Sequence, residues 1–370
     1  AGSVFDTDDK LGLAYFTAQS LLRGTTRRNT TEIYNLLETA GASLGIGASV
    51  HNVTFGGRCL SEDLSILMML LSESLQEPVF PQDQVEKLRA RILTGIAMRE
   101  DDTADTASLA FDSLLFPGHP YGKPDDGFSE TVMNIKQEDL VEFHRQHYGP
   151  AGMVIVVVGA VQPQTVIQLV KQTFAGWYNS GQLTPPVLKE IGMPCQTIRK
   201  HITLPGKSQT DIVMGTLGPH RLSEDYLPAS LGNNILGRFG MMGRIGDVVR
   251  EQSGLAYHAS TSLNAWIASG SWEVSAGVNP ANLNKAIELI INELDRFVTE
   301  PVTEAELQDS KSNYIGRLPL SMESNAGVAS ALAGVERFQL GLNYYREYPQ
   351  KIQAITSEQI LQSTQKYLDP

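Results

Sequence analysis

Apolar residues recur every three to four positions in some stretches of the chain and alternate or run together in others. Leu11 to Arg23 carries them at helical spacing and ends at Gly24, a residue suited to the left-handed position just past a helix. From Ser43 to Leu60 the period drops to two: Leu44, Ile46, Ala48 and Val50 alternate, then Val53 and Phe55 continue out of phase. This predicts a strand pair or a bent strand, with a bulge or turn near His51-Asn52. Leu64, Leu67, Met68, Leu71 and Leu75 predict a helix, as do Val166, Leu169, Val170 and Phe174. The unbroken run Met153 to Val158 reads as a strand buried on both faces. Later strands are expected at Ile198 to Leu204, Asp211 to Leu217 and Trp272 to Val278, and Ile287, Ile290, Ile291 and Leu294 predict another helix.

The pattern occurs twice. Val132 to Pro150 and Ile352 to Pro370 align at one constant offset, setting Ile135 against Ile355, Glu138 against Glu358, Leu140 against Ile360 and Pro150 against Pro370. Glu77-Pro78-Val79 and Glu300-Pro301-Val302 form a second pair in the same order, each between a helix that ends and a helix that follows. Asn179 to Gln196, with Pro185-Pro186 and few periodic positions, reads as a linker. The expected layout is residues 1–183, a linker over 184–196, and residues 197–370. The two copies are cut differently at their ends, so flanking strands are expected outside this sequence on both sides.

Composition narrows the function. A length of 370 residues suits two cores, and 42% apolar with 19% charged residues is ordinary for a soluble globular protein. The net charge of −12 argues against nucleic acid, which requires a basic stripe. Cys59 and Cys195 form no CxxC and no metal spacing, and read as two free buried thiols. No apolar run approaches the roughly 20 residues of a membrane span. Without a signal-peptide pattern the sequence states no compartment, and the expectation is a soluble protein of the bacterial cytoplasm or periplasm.

Several fragments then fall in a known order: Ala1-Gly-Ser-Val-Phe-Asp6, Gly12-Leu-Ala14, Gly24-Thr25, Leu37-Glu-Thr-Ala-Gly-Ala42, Pro78-Val-Phe-Pro81, His119-Pro-Tyr-Gly122 and Val156-Val-Val-Gly159. Over essentially its whole length the chain resembles the insulinase/pitrilysin/mitochondrial-processing-peptidase family (M16) of zinc metallopeptidases. The resemblance implies an α+β fold of two homologous domains, each a mainly antiparallel sheet with helices on one face, in a clamshell arrangement.

It also implies where zinc belongs. Active members carry HxxEH on the first helix: two His at i and i+4 bind Zn²⁺, and the Glu is general base to the metal-bound water. In this chain Tyr15 and Gln19 stand where the two His belong and Ala18 where the base belongs. The region expected to supply the third ligand, Leu93 to Ala97, contains no acid, and none occurs from Lys87 to Arg99. The expectation is that this chain binds no cofactor and cannot generate a metal hydroxide. Of the seven His, only His144 and His147 are close in sequence, and their polar neighbours predict a solvated helix face.

The second half retains Arg250 followed seven residues later by Tyr257, with Gly254-Leu-Ala just before the Tyr. In the family this pair faces the zinc across the chamber and holds the substrate, and it matches residue by residue. An Arg fork and a phenolic O–H aimed at a substrate carbonyl would bind peptide and stabilise an oxyanion. Arg250 is expected near a helix C-terminus and Tyr257 on the next strand. Gly237, Gly240, Gly243 and Gly246 recur every third residue, forming either a flexible substrate-contacting loop or a close backbone approach at a helix start; neither GxGxxG nor GxxxxGK[ST] is present. The resemblance implies a non-catalytic, substrate-binding subunit of a heterodimer, with zinc in an HxxEH-bearing partner. The alternative is a structural protein of the same fold with no proteolytic role.

Overall fold

The structure is a computed structural model, described for residues 1–189, 191–240 and 243–368. It is a mixture of helices and antiparallel sheet in two compact units: Ala1–Glu100 with Gly118–Val187, and Asp101–Pro117 with Leu188–Pro370. The segment Asp101–Pro117, which the sequence reading gave to the first half, therefore packs with the second. Pro370, the last member of the repeat, lies outside the described residues.

In the first unit the order is α1 (Leu13–Ser20), α2 (Thr30–Thr39), β1 (Ser43–Ala48), β2 (Val53–Arg58), α3 (Leu64–Gln76) and α4 (Gln82–Asp101). After α5 (Thr103–Leu115), which belongs to the second unit, come α6 (Ser129–Asn134), α7 (Gln137–His147) and α8 (Pro163–Thr173). Gly24 takes φ +138 just after the first helical stretch, as its sequence position implied. β1 and β2 pair antiparallel from Ser43↔Arg58 to Ala48↔Val53, with the turn at 49–52. The core gathers Phe16 and Leu21, Ile33 and Leu70, and Ile96 and Leu140, all at or near zero exposure. A side chain of this size contributes roughly 1.5–3 kcal/mol on full burial.

Three sequence expectations fail here. Met153–Val158 joins no strand among the described residues, and Val154 is exposed. An apolar run can be read as a strand from composition, but a strand exists only where a neighbour supplies its ladder. His144 and His147 also do not lie on the solvated face of α7, which Glu138, Glu142 and Arg145 occupy. His147 is buried against the Phe5 and Phe143 rings, and burial pushes its imidazole down to about 4. The His144 ring pairs through Nε2 with the Leu75 carbonyl at 2.8 Å. The thiols are free as expected, but Cys195 is exposed and Cys59 half-buried.

The second unit contains β3 (Thr210–Gly218), α9 (Tyr226–Gly237), α10 (Gly243–Gly246), β4 (Ala256–Ala265), β5 (Gly270–Val278), α11 (Leu283–Thr299), α12 (Glu304–Ser321), α13 (Asn325–Arg337), α14 (Tyr344–Ala354) and α15 (Ser357–Tyr367). The sheet is antiparallel in the order β3-β5-β4. Ile198–Leu204 makes no ladder, for the reason that holds at 153–158. Trp272 and Val274 on β5, Leu231 on α9, Ile290 and Phe297 on α11 and Ile360 on α15 form the core. The repeat is visible in the helices: α7 and α15 have 11 residues each and α5 and α13 have 13 each. Ile135 and Ile355, and Leu140 and Ile360, are buried in both copies. Among the described residues no helix is long and apolar enough to cross a membrane.

Candidate functional site

The first helix begins under tight control. Gly12 sits at φ +95, and a Cβ there would come 2.7 Å from the Asp126 carbonyl oxygen. The Asp6 carboxylate accepts the Gly12 and Ala14 N–H groups at 2.9 Å each, ordering the otherwise unpaired donors of a helix start. Burial raises the Asp6 carboxyl to about 7 against these bonds. Arg99 on α4 ion-pairs with Asp126 and donates to the Gly127 carbonyl at 2.8 Å. These contacts fix α1 relative to α4, the two elements where the resemblance would put a metal site.

What α1 presents is not a metal site. Tyr15 is partly buried against the core, and Ala18 is buried as a methyl group where the base would stand. Gln19 Nε2 donates to the Ile46 carbonyl of β1 at 3.3 Å, which ties its amide to the sheet. On α4, Ile92 and Ile96 are buried and Leu93 packs on the core. Zn²⁺ selects thiolate, imidazole and carboxylate, whereas this set is phenol, methyl, carboxamide and aliphatic groups. The residues do not fit a zinc ion. Among the described residues no group of three or more His, Cys, Asp or Glu is placed to hold a metal.

Arg250 and Tyr257 lie in the second unit, on either side of one turn. α10 runs into a π-helical stretch, Asp247–Gln252, that carries Arg250 and is anchored by buried Ile245 and Val249. Wider helical turns of this kind recur at functional positions. Gly254 at φ +61 returns its N–H to the Arg250 carbonyl at 2.9 Å and ends the helix. β4 then starts with a bulge: Ala256 faces Val278 and His258 faces Gly277, leaving Tyr257 between them without a partner. Tyr257 is 86% exposed. Arg250 is half-buried, with Nε 3.3 Å from Glu251 Oε1. Among the described residues no hydrogen bond joins Arg250 to Tyr257.

The glycines between α9 and this stretch divide by role. A Cβ at Gly237 would lie 2.4 Å from the Thr261 N, and one at Gly243, at φ +65, 2.5 Å from the Ile235 carbonyl oxygen. Close backbone approach therefore requires both. Gly240 has a positive φ with open space around it. Met241 and Met242 lie outside the described residues.

Sequence reasoning missed the supports of this site. Arg244 donates through Nε and Nη2 to the two Glu306 oxygens at 2.6 and 2.7 Å, with Glu293 at 3.6 Å. Beside Tyr257, His258 lies 4.0 Å from buried Asp211, which accepts the Thr103 hydroxyl of α5 at 2.5 Å. Arg244 sits inside the glycine run and was the one available signal. Its partners are distant in sequence, so periodicity could not reveal them.

Residues 1–124 match the family model Insulinase (Peptidase family M16), and residues 134–314 match Peptidase M16 inactive domain. The chain belongs to the M16 peptidase family. It is similar to an uncharacterized zinc protease of Mycobacterium leprae, 28% identical over 94% of this chain and 78% of that protein. A similar match, 24% identical over 87% of this chain and 77% of the relative, is to the uncharacterized zinc protease YmxG of Bacillus subtilis. Among solved structures, a peptidase M16 inactive domain from Pseudomonas fluorescens superposes with TM-score 0.90 at 26% identity, covering 100% of this chain and 88% of that one. A protease from Helicobacter pylori shares the fold, with TM-score 0.88 at 20% identity and coverage of 100% and 90%.

Proposed function

We propose that this M16 protein is the non-catalytic, substrate-binding subunit of a heterodimeric zinc peptidase, working with an HxxEH-bearing M16 chain that supplies the metal and the general base. One observation carries the reading. Tyr257 is held out on a strand bulge, almost fully exposed, beside a helix end bearing Arg250, in a chain whose own α1 offers no metal donors. A phenol that makes no contribution to packing is spare for an external carbonyl, and a pure scaffold has no use for it. In the complex, Arg250 and Tyr257 hold the substrate carbonyl, and their donors meet the oxyanion that forms when the partner's hydroxide attacks. The bacterial relatives and the acidic composition fit a soluble protein of the bacterial cytoplasm or periplasm.

The test is reconstitution. The chain is co-purified with an HxxEH-bearing M16 protein from the same genome and assayed on quenched fluorescent peptides. The complex should cleave and neither chain alone should match it. Arg250→Ala or Tyr257→Phe should lower turnover by roughly 10²–10³ while the heterodimer still assembles, the usual loss of one oxyanion donor. Full activity from both variants would transfer the protein to the scaffold class. Failure of every HxxEH-bearing partner to gain activity would end the proposal.

A further inference from the structure

The second unit contains a cavity of about 280 Å³ that the peptidase reading does not use. It lies between the start of α9, α12 and α14, and five tyrosines are among its lining residues: Tyr226, Tyr314, Tyr344, Tyr345 and Tyr348. Two cations line it. The Arg221 guanidinium carbon stands 4.2 Å from the centre of the Tyr226 ring and 5.7 Å from that of Tyr344, and Arg221 Nη2 donates to the Tyr344 hydroxyl at 3.2 Å. Arg317 comes from α12.

Neither arginine forms an ion pair with a carboxylate among the described residues, although acids outnumber bases 41 to 29 in the chain. Glu224 and Glu323, the acids nearest in sequence, pair with neither arginine among the described residues, and two acids adjacent in sequence to the lining tyrosines are already engaged. Asp225 accepts from Lys366 at 2.6 Å and from the Tyr367 hydroxyl at 3.0 Å, and Glu347 pairs with Lys351 at 3.2 Å. The Tyr345 and Tyr348 phenols, which burial pushes further up, are O–H donors at neutral pH. The Tyr314 hydroxyl is committed to the Ser230 carbonyl at 2.9 Å.

The cavity thus combines a guanidinium held among rings, a second guanidinium, protonated phenols and apolar ring faces. A guanidinium fixed in this way offers its remaining N–H groups as a fork shaped for a carboxylate. The rings offer faces for a flat or apolar body. The volume, at the small end of ligand pockets, suits about one side chain rather than an extended peptide. We propose that this pocket binds a carboxylate carried on an aromatic or apolar body, the chemistry shared by the C-terminal residue of a peptide and a free aryl-alkyl acid. The site is separate from Arg250 and Tyr257 and holds whether or not the subunit reading does.

Calorimetric titration of the full chain tests it with four probes: N-acetylphenylalanine, its amide, a tetrapeptide ending in phenylalanine with a free carboxylate, and inorganic phosphate. The free-acid probes should bind saturably and at least about tenfold more tightly than the amide, with phosphate unable to compete. Arg317→Gln, at an exposed position, should weaken binding at least about fivefold with an unchanged melting temperature. Arg221→Gln should weaken it further, and Tyr345→Phe keeps the test open if Arg221→Gln misfolds. Equal affinity for acid and amide, effective competition by phosphate, or no saturation by about 10 mM would each overturn the assignment. A tetrapeptide at least tenfold tighter than the amino-acid derivative supports a peptide end as the ligand, and equal affinities support the free acid.

Discussion

Arg244 stands where the glycine-rich connection becomes the helix that carries Arg250, and it is held by two carboxylates from other helices. Its side chain is 10% exposed, that of Glu293 4% and that of Glu306 29%. The guanidinium also lies 5.2 Å over the Phe297 ring. Replacing it by Met leaves Glu293 buried with only half-exposed Arg296, at 3.4 Å, as a cation. It also leaves Glu306 without its bidentate partner. Removing one member of a buried pair costs about 3–5 kcal/mol, and the partial exposure of Glu306 places this case near the lower end. An expected loss of about 3 kcal/mol is a large share of a stability of 5–15 kcal/mol.

The pH dependence of Glu306 gives an independent check. Although burial opposes it, the Arg244 guanidinium and the Thr303 N–H and hydroxyl hold the Glu306 carboxyl down at about 2. A carboxyl depressed in the folded state contributes its full stability above the unfolded value near 4.5 and loses it as pH falls toward 2. Unscreened, that interval corresponds to about 3.4 kcal/mol at 1.36 kcal/mol per pH unit, and solvent at the exposed edge reduces it to about 2. Urea unfolding can be followed in a Trp177→Phe background, where Trp266 and Trp272 report on the second unit alone. Arg244→Met should lose about 3 kcal/mol at pH 7, and Glu306→Gln should flatten the acid limb between pH 4.5 and 2.5. A loss below about 1 kcal/mol for Arg244→Met, or an unchanged acid limb for Glu306→Gln, would refute the reasoning.

Three further outcomes are expected. Gly243→Ala, which sets a Cβ against the fixed Ile235 carbonyl at positive φ, should cost more than about 2 kcal/mol in urea unfolding, whereas Gly240→Ala, open around its Cβ, should cost only the left-handed penalty of about 1–2. Burial and the nearby Glu273 raise the Asp112 carboxyl to about 7, so the folded state binds the extra proton and stability falls as pH rises from about 4 to 7. Asp112→Asn should remove that fall, with melting temperatures above wild type at pH 8 and converging below pH 4. Elemental analysis of the purified chain should find no stoichiometric zinc; about one tightly held ion per chain, lost only to chelator, would contradict the reading of Tyr15, Ala18 and Gln19.

The features legible in the sequence are those whose cause is local. Helical spacing and Gly24 mark the first helical stretch, the phase change after Val50 marks the turn between β1 and β2, and Gly254 marks the end of the helix before Tyr257. The degenerate metal position is equally local, because HxxEH needs its groups one helical turn apart and Tyr15, Ala18 and Gln19 occupy that turn. What stayed hidden depends on partners far along the chain. α5 belongs to the second unit because Thr103 reaches Asp211, Asp101 pairs with Lys207 at 2.8 Å and Phe116 packs edge-on to Trp266. His147 is buried because Phe5 covers it, in spite of the polar residues around it in sequence. The same distinction bears on the site itself. Arg250 and Tyr257 were legible through the resemblance to the family, whose pattern of an Arg, a Gly-Leu-Ala and a Tyr seven residues on they match. The supports nearby depend on partners far along the chain, Glu306 lying 62 residues from Arg244 and Thr103 lying 108 residues from Asp211, so any substitution that breaks those contacts should blunt the peptide binding proposed for the pair without touching it.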